Sequence, residues 1–149
     1  MKMKFETEID AGLDDVWAAY TNPDNMIRCL QNLVSHTPLS GEPGQPGAKS
    51  KLVFNENGKE VVLIETILER RDPSFLALSF EADHGVTNVV NHFEVIDANR
   101  TRYTSWVRMS LNGFMRFIAL FIRGAIRKRT EGDMGRFKLL VESELAQAD

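Results

Sequence analysis

The sequence has little cysteine and no apolar run long enough to cross a membrane. Cys29 is the only cysteine among 149 residues, so the chain can form no internal disulfide and no cysteine-ligated zinc site. The first ten residues, MKMKFETEID, lack the apolar core of a signal peptide. The very apolar stretch FMRFIALFIRGAI, residues 114–126, has thirteen residues and contains Arg116 and Arg123, whereas a spanning helix needs about 20 apolar residues. We therefore expect a protein of the reducing cytoplasm that does not span a membrane.

The chain also lacks a large excess of charge of either sign. Its formal net charge is -3, and its hydrophobic and charged fractions, 43% and 26%, are ordinary for globular proteins. Nothing in this balance indicates a nucleic-acid partner. A chain of this length is most simply one domain, so we predict a single domain over residues 1–149.

Proline is absent after Pro73, which allows one long uninterrupted helix at the end of the chain. Asn112 is suited to cap such a helix. We predict that the helix runs from there to about Ala146.

Alternation of apolar and polar residues predicts seven strands. The first covers residues 2–9 and is followed by two short helices, which Asn22-Pro23-Asp24 separates. The other six are expected at residues 33–39, around 52–54, and at 61–68, 75–80, 86–96 and 101–109. Asn57-Gly58 is the strongest hairpin signal, because both residues tolerate positive φ. Consecutive hairpins with a helix on one face predict an α+β fold with an antiparallel sheet.

The predicted long helix is apolar almost all round in its first half, which is typical of a helix covered on more than one side. The apolar stripe at helical spacing in this half consists of Phe114, Phe117, Ile118, Phe121 and Ala125. In the second half the stripe narrows to Thr130, Met134, Phe137 and Val141. The second half therefore resembles a half-buried helix lying on a sheet.

The same helix is rich in basic residues. From Arg116 to Lys138 it carries seven basic residues against Glu131 and Asp133. A solvated outer face explains this pattern, and so does a patch that binds anionic lipid or an acidic partner.

The stretch IDAGLDDVWAAYTNPDNMIRCL resembles the opening of the START-like superfamily, also called SRPBCC, which includes the birch-pollen allergens and the polyketide cyclase/dehydrase-type domains. The matching features are Ile9-Asp10-Ala11, Asp14-Asp15-Val16-Trp17 and Asn22-Pro23-Asp24. The closing GRFKLLVE, residues 135–142, is similar to the superfamily's terminal helix, and the element order agrees over essentially the whole chain. Cys29 departs from the pattern, since relatives often carry a bulky aromatic residue there, near the cavity mouth.

This resemblance implies a helix-grip fold, in which a curved seven-stranded antiparallel sheet grips a long C-terminal helix with a deep apolar cavity between them. Members of the superfamily bind lipids, sterols, hormones and polyketides, and a minority are cyclases or other enzymes without a universal catalytic motif. We therefore expect residues 114–126 to form one wall of a cavity for a small hydrophobic ligand, such as a lipid, fatty acid or polyketide-like molecule.

Strand register predicts which side chains face that cavity, because alternate residues of a strand share a face. The expected ligand-binding residues are Leu52, Phe54, Leu63, Glu65, Ile67, Asn91, Phe93, Phe117 and Phe121. Desolvation would disfavour the charged form of Glu65, which makes Glu65 and Tyr103 candidates for acid or base catalysis. A strand bend or an arginine partner also explains a glutamate at position 65, and Asn91 suits either a ligand carbonyl or a structural hydrogen bond.

The three histidines do not have the spacing of metal ligands. His84 is expected in an exposed turn and His92 on the convex face of the sheet, whereas His36 can face either side. The sequence has no HExxH motif, no glycine-rich phosphate loop and no Ser-His-Asp arrangement. We therefore expect neither a metal nor a cofactor.

Three functions are compatible with the sequence. The first is binding of a small hydrophobic ligand without catalysis. The second is a metal-independent cyclase or dehydratase of the polyketide type that uses Glu65, Asn91 and Tyr103. The third is an interaction module in which the segment from Phe114 to Arg129 contacts a membrane or a second copy of the chain.

Overall fold

The computed structural model describes residues 1–148 and contains one curved antiparallel sheet, two short helices and one long helix. The strands are β1 (Lys2–Ile9), β2 (Leu33–Ser40), β3 (Lys49–Glu56), β4 (Lys59–Arg71), β5 (Phe75–Ala82), β6 (Gly85–Asp97) and β7 (Arg100–Leu111). The helices are α1 (Leu13–Tyr20), α2 (Asp24–Cys29) and α3 (Met115–Ala148). The strand order β1-β7-β6-β5-β4-β3-β2 makes β2 to β7 a meander, with β1 paired to β7 at one edge. The predicted helix-grip fold is confirmed.

Tight turns join the successive strands from β3 to β7 where the sequence predicts them, and the loop of residues 41–48 joins β2 to β3. In the β3–β4 hairpin, Asn57 and Gly58 adopt positive φ angles of 57° and 86°, as a two-residue hairpin loop requires. At the start of β6, a Cβ on Gly85 would lie 2.2 Å from the backbone oxygen of Ser110. Only glycine therefore allows β6 and β7 to approach this closely at that point.

The sheet turns one surface toward the helices, and we call this surface the inner face. One row of paired residues across it consists of Ile67, Leu78, Val89, Val107 and Met3. Because side chains alternate along a strand, residues two or four positions away from this row share the inner face. Leu63, Glu65, Asn91 and Phe93 meet this condition, and the predicted register is confirmed for them.

The C-terminal half of α3 packs on the inner face. Its buried apolar side chains are Met134, Phe137, Leu140 and Val141. Polar contacts fix the same half to the end of α2 and the residues just after it. Arg136 donates to the backbone oxygen of Cys29 at 2.8 Å, and the Asp133 carboxylate accepts from the backbone N–H of Gln31 at 3.0 Å. This half of the helix is therefore held by burial and by hydrogen bonds together.

The first half of α3 has the opposite orientation from the one that the sequence suggests. Phe117 and Phe121 are 71% and 88% exposed, so the expectation that they line the interior is wrong for this structure. They precede Phe137 by 20 and 16 residues, or about 5.6 and 4.4 turns at 3.6 residues per turn, and so they point to the opposite side of the helix. Ile126 precedes Phe137 by about three whole turns, and it packs against the core.

The helix begins slightly later than predicted and ends slightly later too. Asn112 lies in a turn before α3, where its backbone oxygen accepts from the N–H of Met115 at 3.2 Å. Within residues 1–148, no helix combines the length and the apolar character that crossing a membrane requires.

Candidate functional site

The apolar side chains of the inner face form two clusters. The larger one gathers residues of β1 and β4 to β7 with α1 and the C-terminal half of α3. The smaller one consists of Leu33, Leu52 and Phe54, with partly buried side chains of α2 and β4 around it. Phe80 packs against both clusters. Phe80 therefore marks the boundary between the two clusters on the inner face, and we call this boundary the seam.

The larger cluster is centred on aromatic rings, and these rings fill one end of the space between sheet and helix. Phe93 stacks on Tyr103 at a centroid distance of 4.6 Å and meets Tyr20 at 4.9 Å. Phe137 of α3 approaches Tyr20 edge-on at 5.7 Å. Phe93 and Tyr103, which the sequence places at the ligand site, therefore lie in tightly packed protein at this end.

Three polar groups are buried within the aromatic cluster and satisfy one another. The side-chain amide of Asn91 donates to the Tyr20 hydroxyl at 2.6 Å, and the Tyr103 hydroxyl donates to the Asn91 carbonyl oxygen at 3.1 Å. Burial raises the pKa of both tyrosines above its ordinary value. Both hydroxyls therefore stay protonated over the physiological range, which suits them to hydrogen bonding rather than to acting as a base.

Glu65 and His36 form a second polar group on the inner face. Nε2 of His36 lies 3.7 Å from Oε1 of Glu65, and the two side chains are only 16% and 11% exposed. They come from β2 and β4, which β3 separates, so their side chains meet across the intervening strand. Burial raises the pKa of Glu65, and the neighbouring His36 partly opposes this shift.

The remaining predicted ligand-binding residues divide among three places. Leu52 and Phe54 belong to the smaller cluster, and Leu63 is a half-buried side chain packed against it. Ile67 is buried in the larger cluster. Phe117 and Phe121 lie on the solvent side of α3. The structure therefore brings Glu65 and Leu63 to the seam and leaves the two phenylalanines outside it.

Two shallow hollows lie away from the seam. One of about 350 Å³ is lined by residues between α1 and the β6–β7 turn, and includes Gly12, Leu13 and Val95. The other, of about 280 Å³, lies between α1 and the end of α3. Neither is lined by Leu63, Glu65 or any other residue of the predicted ligand set.

The sequence missed one member of the polar groups, Tyr20, and left the orientation of a second, His36, open. Tyr20 belongs to the apolar stripe of α1, and nothing in that stripe indicates that its hydroxyl meets Asn91, 71 residues later. His36 lies on β2, where a register irregularity between Leu33 and Ser35 hides which side chains face inward. Alternation of inward and outward side chains along β2 is the signal that allows His36 to face inward. The structure places the His36 side chain on the inner face beside Glu65.

The other two histidines are placed as the sequence predicts. His92 lies on the opposite face of the sheet, between the rings of Phe75 and Trp106 at 4.9 and 5.3 Å. His84 is an exposed residue of the β5–β6 turn. Within residues 1–148, no three His, Cys, Asp or Glu side chains are grouped so that they could hold a metal ion.

Comparison with known proteins agrees with this architecture. The family model described as "Polyketide cyclase / dehydrase and lipid transport" matches residues 1–142. The chain belongs to this family, and the predicted membership of the START-like (SRPBCC) superfamily is confirmed. No curated protein sequence gives a significant match.

Solved structures with the same fold span nearly the whole chain. The Zhui aromatase/cyclase of Streptomyces sp. R1128 has a TM-score of 0.82 and 10% identity, over 97% of this chain and 95% of that one. Ara h 8.0201 has a TM-score of 0.76 and 12% identity, over 96% and 98% of the two chains. A conserved protein of Geobacillus kaustophilus has a TM-score of 0.78 and 16% identity, over 96% of each chain. Identities this low establish the shared fold alone.

Proposed function

We propose that the protein binds a small hydrophobic ligand between the inner face of the sheet and α3, at the seam beside Phe80. The observation that carries this proposal is the buried Glu65–His36 pair, which lies on the inner face beside Phe80, at the boundary of the two hydrophobic clusters. An apolar surface with a few well-placed polar groups is what small-molecule sites usually offer. The family's description, which includes both polyketide chemistry and lipid transport, supports the same class of ligand.

The seam also suggests the chemistry of the ligand. Leu63 and Phe80 are half-buried and supply apolar contact area. Glu65 and His36 together offer both a donor and an acceptor, because the raised pKa of Glu65 favours its protonated form. The ligand that fits is therefore largely apolar with at least one carbonyl, hydroxyl or carboxyl group, as in fatty acids and polyketides.

A filling substitution tests this proposal. Leu63→Trp adds bulk to the inner face, whereas Val62→Trp adds the same bulk to the neighbouring residue of β4, which points to the opposite face. We expect native mass spectrometry and displacement of a fluorescent fatty acid to show binding by the parent protein and Val62→Trp, and none by Leu63→Trp. Equal binding by both tryptophan variants, or no bound apolar molecule in any of the three, would contradict the proposal.

A second candidate function is proton-transfer catalysis of the cyclase or dehydratase kind at the same site. The Glu65–His36 pair favours it, since a carboxyl group of raised pKa beside an imidazole can exchange protons with a bound carbonyl compound. The buried tyrosines serve this role less well, because Tyr20, Asn91 and Tyr103 already bond to one another.

Separating binding from turnover distinguishes the two candidates. If the protein is an enzyme, Glu65→Gln and His36→Phe should lose conversion of a poly-β-ketone substrate while the fluorescent fatty acid still binds. Glu60→Gln, an exposed position on the same strand, provides the control. Absence of turnover by the parent protein would leave binding alone as the function.

A further inference from the structure

The solvent side of the start of α3, together with the residue just before the helix, carries a cluster of large apolar side chains. Phe114, Phe117, Leu120 and Phe121 are 75%, 71%, 83% and 88% exposed, and we call these four residues the outer patch. Their spacing of three and four residues places them on one side of the helix. Large exposed apolar patches are rare on proteins that remain monomeric and isolated, and they commonly mark a contact surface.

The chain segment that carries the outer patch has charge of a single sign. From Asn112 to Thr130 the chain has no aspartate or glutamate, although the whole protein carries a net charge of -3. Arg116 and Arg123 are exposed and lie four residues before and three residues after Leu120, so they flank it on the helix surface. The patch is therefore apolar in the middle and positive along one edge.

The arginines at this edge differ from those nearer the packed half of α3. Arg129 is paired with Glu56 at 2.6 Å, and Arg127 with Glu131 at 3.4 Å. In the part of the chain that the structure describes, no carboxylate lies within 4.0 Å of Arg116 or Arg123. Two cations are thus left for a partner that brings its own negative charge.

We propose that the outer patch docks the protein onto the surface of an anionic lipid bilayer. Phe117, Leu120 and Phe121 enter the headgroup region, while Arg116 and Arg123 pair with anionic headgroups beside them. A helix face with exposed aromatic and leucine side chains and flanking arginines is the pattern of helices that lie in the membrane interface.

A second copy of the chain fits the outer patch less well. Symmetric pairing of two such faces would bring arginines together with no carboxylate from either helix segment to oppose them. A bilayer needs no matching shape, and it supplies negative charge across a wide area.

Vesicle flotation tests the proposal with the full chain. Phosphatidylcholine vesicles with and without phosphatidylserine are compared at low and high salt. We expect binding to the serine-containing vesicles alone and weaker binding at high salt, because salt screens the attraction. Phe117→Ser/Phe121→Ser and Arg116→Glu/Arg123→Glu should each reduce the bound fraction by on the order of tenfold or more, since each change removes one of the two contributions to binding.

Matched variants make the result specific to the outer patch. Leu139→Ser removes an exposed leucine elsewhere on α3, and Arg108→Glu reverses an exposed charge on β7; both should bind like the parent. Circular dichroism and thermal unfolding verify that all variants fold. The proposal is overturned if anionic vesicles do not bind the parent, or if the patch and control variants lose binding equally. It is also overturned if ultracentrifugation shows a dimer that Phe117→Ser/Phe121→Ser dissociates.

Discussion

Phenylalanine side chains are buried in the second half of α3 and exposed in its first half. In the second half, Phe137 is buried against Tyr20 and Tyr103, and hydrogen bonds to the end of α2 and the residues just after it hold the helix in place. In the first half, Phe117 and Phe121 point into solvent. Hydrophobicity alone therefore does not determine burial on this helix. Burial is determined by the angular position of each residue around the helix axis, relative to the side that packs on the sheet.

The largest expected difference between the halves concerns stability. Phe137→Ala removes a ring from the packed core and should lower the free energy of unfolding by about 3–5 kcal/mol. Phe117→Ala removes a ring that contacts mostly water, and the change should stay within about 0.5 kcal/mol. Urea denaturation of the two variants measures both values. Similar losses for the two would mean that Phe117 is buried in solution and that the halves do not differ.

A second prediction concerns the hydrogen-bonded group of Tyr20, Asn91 and Tyr103, which lies beneath the packed half of α3. Asn91→Ala leaves the hydroxyls of Tyr20 and Tyr103 without their shared partner, and should cost about 1–3 kcal/mol of stability. Asn88→Ala, at an exposed position of the same strand, should be close to neutral. Equal effects of the two substitutions in urea denaturation would show that this network does not support the packed half.

A third prediction uses the pH dependence of stability at the seam. Burial raises the pKa of Glu65 in the folded chain. Between the ordinary carboxyl pKa and this raised pKa, the unfolded chain has released the proton of Glu65, whereas the folded chain still holds it. Stability contributed by this group is therefore present at low pH and is lost through that window. Glu65→Gln cannot ionise, so the variant should gain stability relative to the parent as pH increases above the ordinary carboxyl range of about 4.

Urea denaturation at several pH values checks this prediction. Glu60→Gln, an exposed substitution on the same strand, should run parallel to the parent across the range. A Glu65→Gln variant that instead loses stability as pH rises would mean that an ionised Glu65 stabilises the fold, through His36.

The smallest expected effect concerns the backbone of the first half of α3. Gly124 lies on the solvent side with no atom within 4 Å of the position that a Cβ would occupy. Gly124→Ala should therefore raise stability by up to about 1 kcal/mol through helix propensity alone. The reverse change at the exposed neighbour, Ala125→Gly, should lower it by a similar amount. If both variants unfold at the same temperature as the parent, this half of the helix contributes little to folding.

Much of the fold follows from local features of the sequence. Asn57-Gly58 fixes one hairpin, Pro23 separates the two short helices, and alternation over the strands gives the register that brings Glu65 and Asn91 to the inner face. These features act over a few residues, so they can be recognised without knowledge of the rest of the chain. The candidate site was harder to predict, because Glu65 meets His36 and Asn91 meets Tyr20 only after distant elements come together.

The sequence by itself determined the α+β order of elements and the strands that carry the inner face, since turn residues and two-residue alternation are read locally. The family was predicted from the resemblance of residues 9–30 and 135–142 to the START-like superfamily. Only the tertiary structure decided which side of α3 faces the sheet. A helix segment that is apolar all round has no preferred face of its own, so packing of Phe137 and Val141 sets the rotation of the whole helix and turns Phe117 and Phe121 outward.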